Sequence, residues 1–320
     1  MSILKVSHMS TYYSTRAGEN QALEDFSIEL QRGEMLGLIG ESGCGKSTAG
    51  YSILNEIQHP GKIVSGSVEL DGVDILKLSP EEHRKVLWKD IAMIPQSAMN
   101  ALNPVYRIGP QIVEAIRLHY PELSKAEAED KTRALLRQVG MDEKWFHAYP
   151  HKLSGGMKQR AIIAMALSCD PKIIISDEST TGLDVLIQAQ ILQLLKQLQK
   201  ERQLTIIIIS HDLHMVMSIC DRIGVMYAGR LVELGTTQAI QNRQYHPYAR
   251  ALFRSKIDID NFDSTVESID GVVPKLINPP EYCRFYNRCT CCDEDCLRPS
   301  PPMSEVEPGH FVACYKKGVQ

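Results

Sequence analysis

The sequence predicts an α/β protein with a helical insertion and a small, irregular, cysteine-rich C-terminal extension. Three observations carry this. Short β-branched runs alternate with segments of helical spacing through the first 255 or so residues. The pattern turns helical between about 100 and 169, and after about 254 periodicity gives way to scattered prolines and six of the nine cysteines. The division expected is a core over 1–255, its helical subdomain at about 100–169, and an extension over 256–320.

Taken in order, the N-terminus opens on alternating residues and has no apolar signal segment. Residues 34–39 read as a strand, followed by a glycine-rich turn and a helix over 46–57. In the helical insertion, Ser124 and Glu127 form a capping box, Leu135, Leu136 and Val139 an apolar stripe, and Gly140 a stop. Residues 172–176 and 205–209 are continuously apolar and β-branched, as strands covered on both faces are. Between them Leu186, Ile187, Ile191, Leu194, Leu195 and Leu198 recur at helical spacing. Met215, Met217 and Met226 read as core. No run approaches the ~18 apolar residues that span a bilayer, so the chain is expected to stay on the side of the membrane where it is made. A net charge of −4 without a long basic block argues against a nucleic-acid partner and for phosphate binding confined to a pocket.

Gly40-Glu41-Ser42-Gly43-Cys44-Gly45-Lys46-Ser47 fits the phosphate-loop pattern at every fixed position, between a predicted strand and a predicted helix. The chemistry needs these residue types. Glycines let backbone N–H groups turn inward around phosphate, and the helix N-terminus adds positive potential. Lys46 supplies a charge toward the β- and γ-phosphates, and the Ser47 hydroxyl can ligate Mg²⁺. Cys44 is expected to have no catalytic role. Asp177 at a strand end suits the Mg²⁺ shell, and Glu178 beside it suits positioning or activating a water for in-line attack. His211, after the isoleucine strand, reads as a contact to the γ-phosphate or to Glu178. Ser154 caps a second glycine-led helix, predicted to run to about Cys169, where Gly155 and Gly156 offer free N–H groups. Two anion-binding helix starts in one chain suggest a composite site.

Together the phosphate loop, Leu153-Ser154-Gly155-Gly156, Asp177-Glu178, Leu183-Asp184 and His211 resemble the nucleotide-binding subunit of ATP-binding-cassette (ABC) transporters, in the family's order over most of residues 3 to 255. The resemblance implies an ABC-type P-loop ATPase in which two cassettes pair head to tail, one chain's phosphate loop facing the other's signature helix. It implies nucleotide contacts from Tyr13, stacking on adenine, from the loop through Ser47 and Thr48, and from Ser154, Gly155 and Gly156 in trans. It gives Gln96 to Mg²⁺ and the membrane partner, and Asp184 to the dimer seam. Where the family usually reads Asp-Glu-Pro-Thr-Thr-Ala-Leu-Asp, this chain has Ser179 and Gly182, which are expected to loosen the loop while leaving both carboxylates.

Residues 101–104, 149–153 and 246–248 look like those of the dipeptide, oligopeptide and nickel importer ATPases. That resemblance implies a subunit driving solute uptake from the cytoplasmic face of a bacterial membrane. Its partners would be a second ATPase (a heterodimer first, a homodimer second), two membrane-spanning permeases and an extracytoplasmic solute-binding protein. The alternative is a soluble ABC ATPase acting on ribosomes or DNA. Clustered cysteines without an export signal point to a metal centre, zinc or iron–sulfur. Cys283, Cys289, Cys296 and Cys314 match the subfamily's C-terminal motif, which implies a [4Fe–4S] cluster with zinc as the alternative; Cys291 and Cys292 compete as ligands.

Overall fold

The computed structural model describes residues 2–96, 101–255 and 269–317. The expected starts of the helical insertion at 100 and of the extension at 256 lie outside them. In chain order, β1 (Ser2–Thr15), β2 (Gly18–Gln31) and β3 (Met35–Ile39) lead into helix α1 (Lys46–Ile53). Strands β4 (Gly61–Leu70) and β5 (Val73–Asp74), helix α2 (Pro80–Val86) and strand β6 (Ile91–Ile94) follow. Helices α3 (Ile108–His119), α4 (Lys125–Gln138) and α5 (Gly155–Ala166) come next, then β7 (Ile173–Asp177), α6 (Val185–Arg202) and β8 (Thr205–Ile209). Beyond these lie α7 (Leu213–Ile219), β9 (Arg222–Tyr227), β10 (Arg230–Thr236), α8 (Thr237–Asn242), α9 (Pro247–Arg254), β11 (Ser304–Glu307) and β12 (His310–Val312).

The chain divides into two compact units. One comprises Met1–Gln31, Leu36–Leu76 and Ile209–Gln320. It holds an antiparallel sheet in the order β2-β1-β4-β5 and a run of strands in the order β11-β12-β10-β9-β3. Every residue of β3 is buried, as its unbroken apolar sequence requires. β3 runs parallel to β9, with Leu36 opposite Arg222 and Ile39 opposite Val225. Helix α7 packs so close to β3 that a Cβ on Gly37 would sit 2.1 Å from Val216 Cγ1. The sequence pattern marked no strand in the extension, yet β12 pairs with β10 (Glu233 opposite Val312) and β11 with β12. Glu233 is fully buried there, and its carboxylate accepts from His310 Nε2 and the backbone N–H groups of Tyr245 and His246.

The other unit comprises Arg32–Met35 and Lys77–Ile208. Its strands lie in the order β8-β7-β6, and β6 and β7 are parallel, with Ile91 opposite Ile173. Both isoleucine runs are wholly buried, as predicted for strands covered on two faces. The Ser124–Glu127 capping box forms reciprocally at the start of α4. Helix α6 buries Ile191, Leu194, Leu195 and Leu198, but Leu186, read as part of that stripe, is 69% exposed. Two helices stop short of their predicted ends. Helix α1 ends at Ile53 rather than 57, because Asn55 takes a left-handed φ of 55°; α5 ends at Ala166 rather than 169. Of the three methionines read as core, Met226 is fully buried while Met215 and Met217 are half-buried. Among the described residues no helix is long and apolar enough to cross a membrane.

Candidate nucleotide-binding site

In the first unit the phosphate loop leaves the buried end of β3 and feeds straight into α1, whose first residue is Lys46. Gly40, Gly43 and Gly45 all adopt positive φ. Gly45 is required for a second reason: a Cβ there would lie 2.3 Å from the Ala22 carbonyl oxygen, a backbone atom that cannot yield. Lys46 is 4% exposed, and its Nζ donates to the carbonyls of Gly40 (2.9 Å) and Glu41 (3.0 Å). The ammonium therefore lies across the loop, inside the turn where phosphate oxygens bind in loops of this pattern. Cys44 is buried, and burial pushes its thiol up, so it packs as a small apolar residue. Ser42 and Gly43 are exposed, while Ser47 and Thr48 are half-buried in the first turn of α1. Tyr13 is half-buried on β1 opposite Gly61, where a Cβ would meet the tyrosine ring at 2.6 Å. His211 is exposed, one residue before Asp212, which caps α7 through the Met215 N–H.

In the second unit β7 delivers the paired carboxylates. Asp177, its last residue, is 1% exposed. Glu178, next along, is half-buried with a φ of 42°, a left-handed conformation that a non-glycine side chain rarely adopts and that gathers at functional turns. Gln96 Nε2 donates to Glu178 Oε2 at 2.7 Å. The chain thus brings together the loop glutamine and the carboxylate read as the water-positioning group, a pairing that sequence spacing could not give. Ser179, expected with Gly182 to loosen this loop, has a partner on the strand. It is 9% exposed, and its hydroxyl lies 2.6 Å from that of Ser176, tying the loop back to β7. Ser154 caps α5 by accepting from the Met157 N–H, and Gly156 packs where a Cβ would lie 2.6 Å from Ile187 Cγ2. Asp184 caps α6 by accepting from the Ile187 N–H at 2.9 Å. The signature helix start and the Asp184 turn are therefore built against each other.

The first unit also gathers the extension's thiols. Cys283, Cys289, Cys296 and Cys314, with Cys292, line one cavity of about 10 Å³, room for about one water. Cys291 does not line it; its sulfur sits 3.8 Å from that of Cys289. Burial pushes the Cys283 thiol up, that of Cys289 to about 12 and that of Cys314 to about 11, so a bound metal would have to displace protons. Among the described residues no three metal-ligating side chains stand close enough together to hold one ion. The lining offers five thiols and the His246 imidazole and no carboxylate, a donor set whose chemistry suits zinc or a thiolate-ligated centre.

The comparisons agree with this architecture. The ABC transporter family matches residues 23–181, and the family described as "Oligopeptide/dipeptide transporter, C-terminal region" matches residues 232–296. The dipeptide transport ATP-binding protein DppD of Haemophilus influenzae is 41% identical, over 96% of this chain and 93% of that protein. The oligopeptide transport ATP-binding protein OppD of Escherichia coli is 41% identical, over 98% of this chain and 93% of that protein. Among solved structures, a dimeric post-hydrolysis state of the ATP-binding cassette MJ0796 bound to ADP and Pi is similar, with a TM-score of 0.66 and 26% identity over 73% of this chain and 98% of the other. The chain belongs to the ATP-binding proteins of the ABC transporters, in the branch that carries the oligopeptide/dipeptide C-terminal region.

Proposed function

We propose that this chain hydrolyses ATP to drive import of di- or oligopeptides across the bacterial cytoplasmic membrane, bound peripherally to the cytoplasmic face of its permeases. The observation that carries the reading is a phosphate loop with a buried lysine in a chain that also sets Asp177 and a strained Glu178 at one strand end. The names of the relatives, dipeptide and oligopeptide transport proteins, speak for peptide over nickel as cargo.

ATP is the substrate. Tyr13 stacks on its base, the N–H groups of 40–48 other than that of Glu41, which donates to Tyr248, and the Lys46 ammonium hold its phosphates, and Ser47, Asp177 and Gln96 would hold Mg²⁺. Mg²⁺, when bound, offsets charge on the phosphate oxygens. Glu178 orients the attacking water, and its bond from Gln96 links that duty to the loop that faces the permease. His211 contacts the γ-phosphate. Ser154, Gly155 and Gly156 act on the nucleotide of a second cassette, in a heterodimer by preference; that the similar MJ0796 cassette is dimeric with ADP and Pi bound supports the pairing of two cassettes. Two permeases and an extracytoplasmic solute-binding protein complete the transporter. The nucleotide-binding domain extends over 1–255 and the metal-binding extension over 256–320. There Cys283, Cys289, Cys296 and Cys314 would hold a [4Fe–4S] cluster, with Cys292 as the competing fifth thiol. The cavity as it stands has room for about one water, so uptake of a cluster requires the segments carrying these cysteines to part.

Glu178→Gln tests the central assignment. The assembled transporter carrying it should bind MgATP with wild-type affinity and lose about 10²–10⁴-fold in turnover. Turnover within about threefold of wild type would remove Glu178 from its role.

A further inference from the structure

The second residue of the phosphate loop is an acid, which no phosphate site needs. Glu41 is instead held by the far end of the chain. Arg288, 247 residues away, donates from Nη1 to Oε2 at 2.8 Å and from Nη2 to Oε1 at 3.1 Å, a two-pronged carboxylate grip. The arginine side chain is 4% exposed, against 27% for Glu41. Its remaining donors go to the carbonyls of Asp270 and Ile269 and to the Tyr227 hydroxyl at 3.3 Å, and the guanidinium lies beside the Tyr227 and Phe285 rings. The Glu41 N–H is taken by the hydroxyl of buried Tyr248 at 2.9 Å, and its C=O by Lys46. Every polar group of Glu41 is thus fixed, two of them by residues beyond the phosphate-loop core.

Arg288 sits on a short turn bracketed by Cys283 and Cys289, both of which line the thiol cavity. The other arginine of that turn, Arg284, holds neighbours of the loop rather than the loop itself. It donates to the carbonyl of Ala228 and to Gln21, and the neighbouring Gly229 N–H donates to the Cys44 carbonyl at 2.9 Å. An unpaired carboxylate at Glu41 would repel a triphosphate a few ångströms away, and a mobile one would let the loop's N–H groups lose their aim.

We propose that Arg288 is a positioning residue for the phosphate loop: it neutralises and orients Glu41, and so makes nucleotide affinity depend on the cysteine-bracketed turn that carries it. This rests on the reading of 40–48 as the ATP site. Arg288 touches no substrate; it acts through Glu41.

The test uses the assembled transporter, with ATPase rates measured against MgATP concentration and iron content and melting temperature recorded for each variant. Arg288→Gln should raise KM for ATP about tenfold, the size of one charge-assisted hydrogen bond, with kcat within twofold. Arg288→Lys, which keeps the charge and loses the fork, should raise KM about threefold. Glu41→Gln added to Arg288→Gln should bring KM back to within threefold of wild type, because the abandoned carboxylate is gone. A purely structural ion pair predicts lower melting temperature with unchanged KM in the folded fraction, and that result overturns the proposal. So does a proportional loss of kcat and KM, or failure of Glu41→Gln to rescue. Should Arg288→Gln not fold, the Arg288→Lys variant and the double variant decide the matter by the same KM criteria. If wild type itself shows no saturable ATP binding, the nucleotide reading falls and takes this proposal with it; wild-type binding with an unaffected variant removes Arg288 alone.

Discussion

Glu233→Gln perturbs the joint between the extension and the sheet without changing its shape. The carboxylate is 0% exposed and serves three donors: His310 Nε2 at 2.8 Å, the Tyr245 N–H at 2.9 Å and the His246 N–H at 2.8 Å. An amide offers one acceptor oxygen and one donor group. If its oxygen faces His310 and Tyr245, its NH₂ faces the His246 N–H, donor against donor, and one buried N–H goes unpaired at about 1–3 kcal/mol. Losing charge assistance on the bond to His310 brings the cost to about 2–4 kcal/mol. At about 2–4 °C per kcal/mol for domains of 150–250 residues, the melting temperature should fall by at least about 4 °C. The extension should also come loose first. Its strand β12 is joined to β10 through a short ladder, Glu233 with Val312 and Leu234 with Phe311, extended by the Ala313 N–H donating to the Val232 carbonyl at 2.9 Å, and its ring contact is His310 edge-on to Tyr245 at 5.1 Å. Scanning calorimetry with timed proteolysis of the full-length chain measures both effects, and cleavage should begin between 269 and 317 before any product of the core appears. A melting temperature within 1 °C of wild type would refute the reasoning, since it would mean that the buried donors find partners elsewhere.

Two further outcomes are expected. Protein purified without oxygen should be brown and carry iron and acid-labile sulfide, lost in Cys283→Ser and kept in Cys291→Ser; colourless protein with one zinc per chain would make the centre a zinc site. Ser154→Arg should cut turnover at the partner's nucleotide at least tenfold while leaving this chain's own ATP affinity within twofold, and equal loss of binding at both nucleotides would contradict action in trans.

What could be read ahead of the structure was what is encoded locally. The three isoleucines of β7 and the four of β8 read as strands because a short, β-branched, uninterrupted run suits a strand covered on both faces. The caps at Ser124 and Ser154 depend on a hydroxyl and the N–H three residues on, and both form. The phosphate loop is legible because glycine, lysine and serine at fixed intervals meet sterics and charge at once. Strands β11 and β12 were invisible for the opposite reason. His310–Val312 is a short segment whose strand character comes from pairing with β10, more than 70 residues earlier, and the partly polar Ser304–Glu307 pairs in turn with β12. Leu186 belongs to the apolar periodicity of α6 yet is exposed, because periodicity gives a face but not the length of helix that is covered. Glu41 reads only as a variable position of the phosphate loop, Arg288 carries no reading, and a pairing across 247 residues has no signature in either neighbourhood.

The placement of two arginines on one turn sets a requirement that the turn cannot meet alone. Burial draws the Arg284 guanidinium down to about 10, a measure of how poorly that position solvates a cation, and its return is two hydrogen bonds to Ala228 and Gln21. Such bonds reward only an arginine already in place, and between Cys283 and Cys289 the backbone is held by single-turn hydrogen bonds alone, from Tyr286 to Cys283, Arg288 to Phe285 and Cys289 to Tyr286. Packing helps at one point: Phe285 is 3% exposed and rests on Tyr227 and Tyr248. The ends need fixing, and the ends are cysteines. A thiolate-ligated centre joining Cys283 and Cys289 to Cys296 and Cys314 would restrict the turn before nucleotide arrives, so that less ordering cost falls on ATP binding. On this account a centre bound there would be more than a free-standing staple: its effect would pass through Phe285, Arg284 and Arg288 to the carboxylate and the carbonyls around the phosphate loop, and a chain stripped of it but still folded should bind ATP as though Arg288 were less often in place.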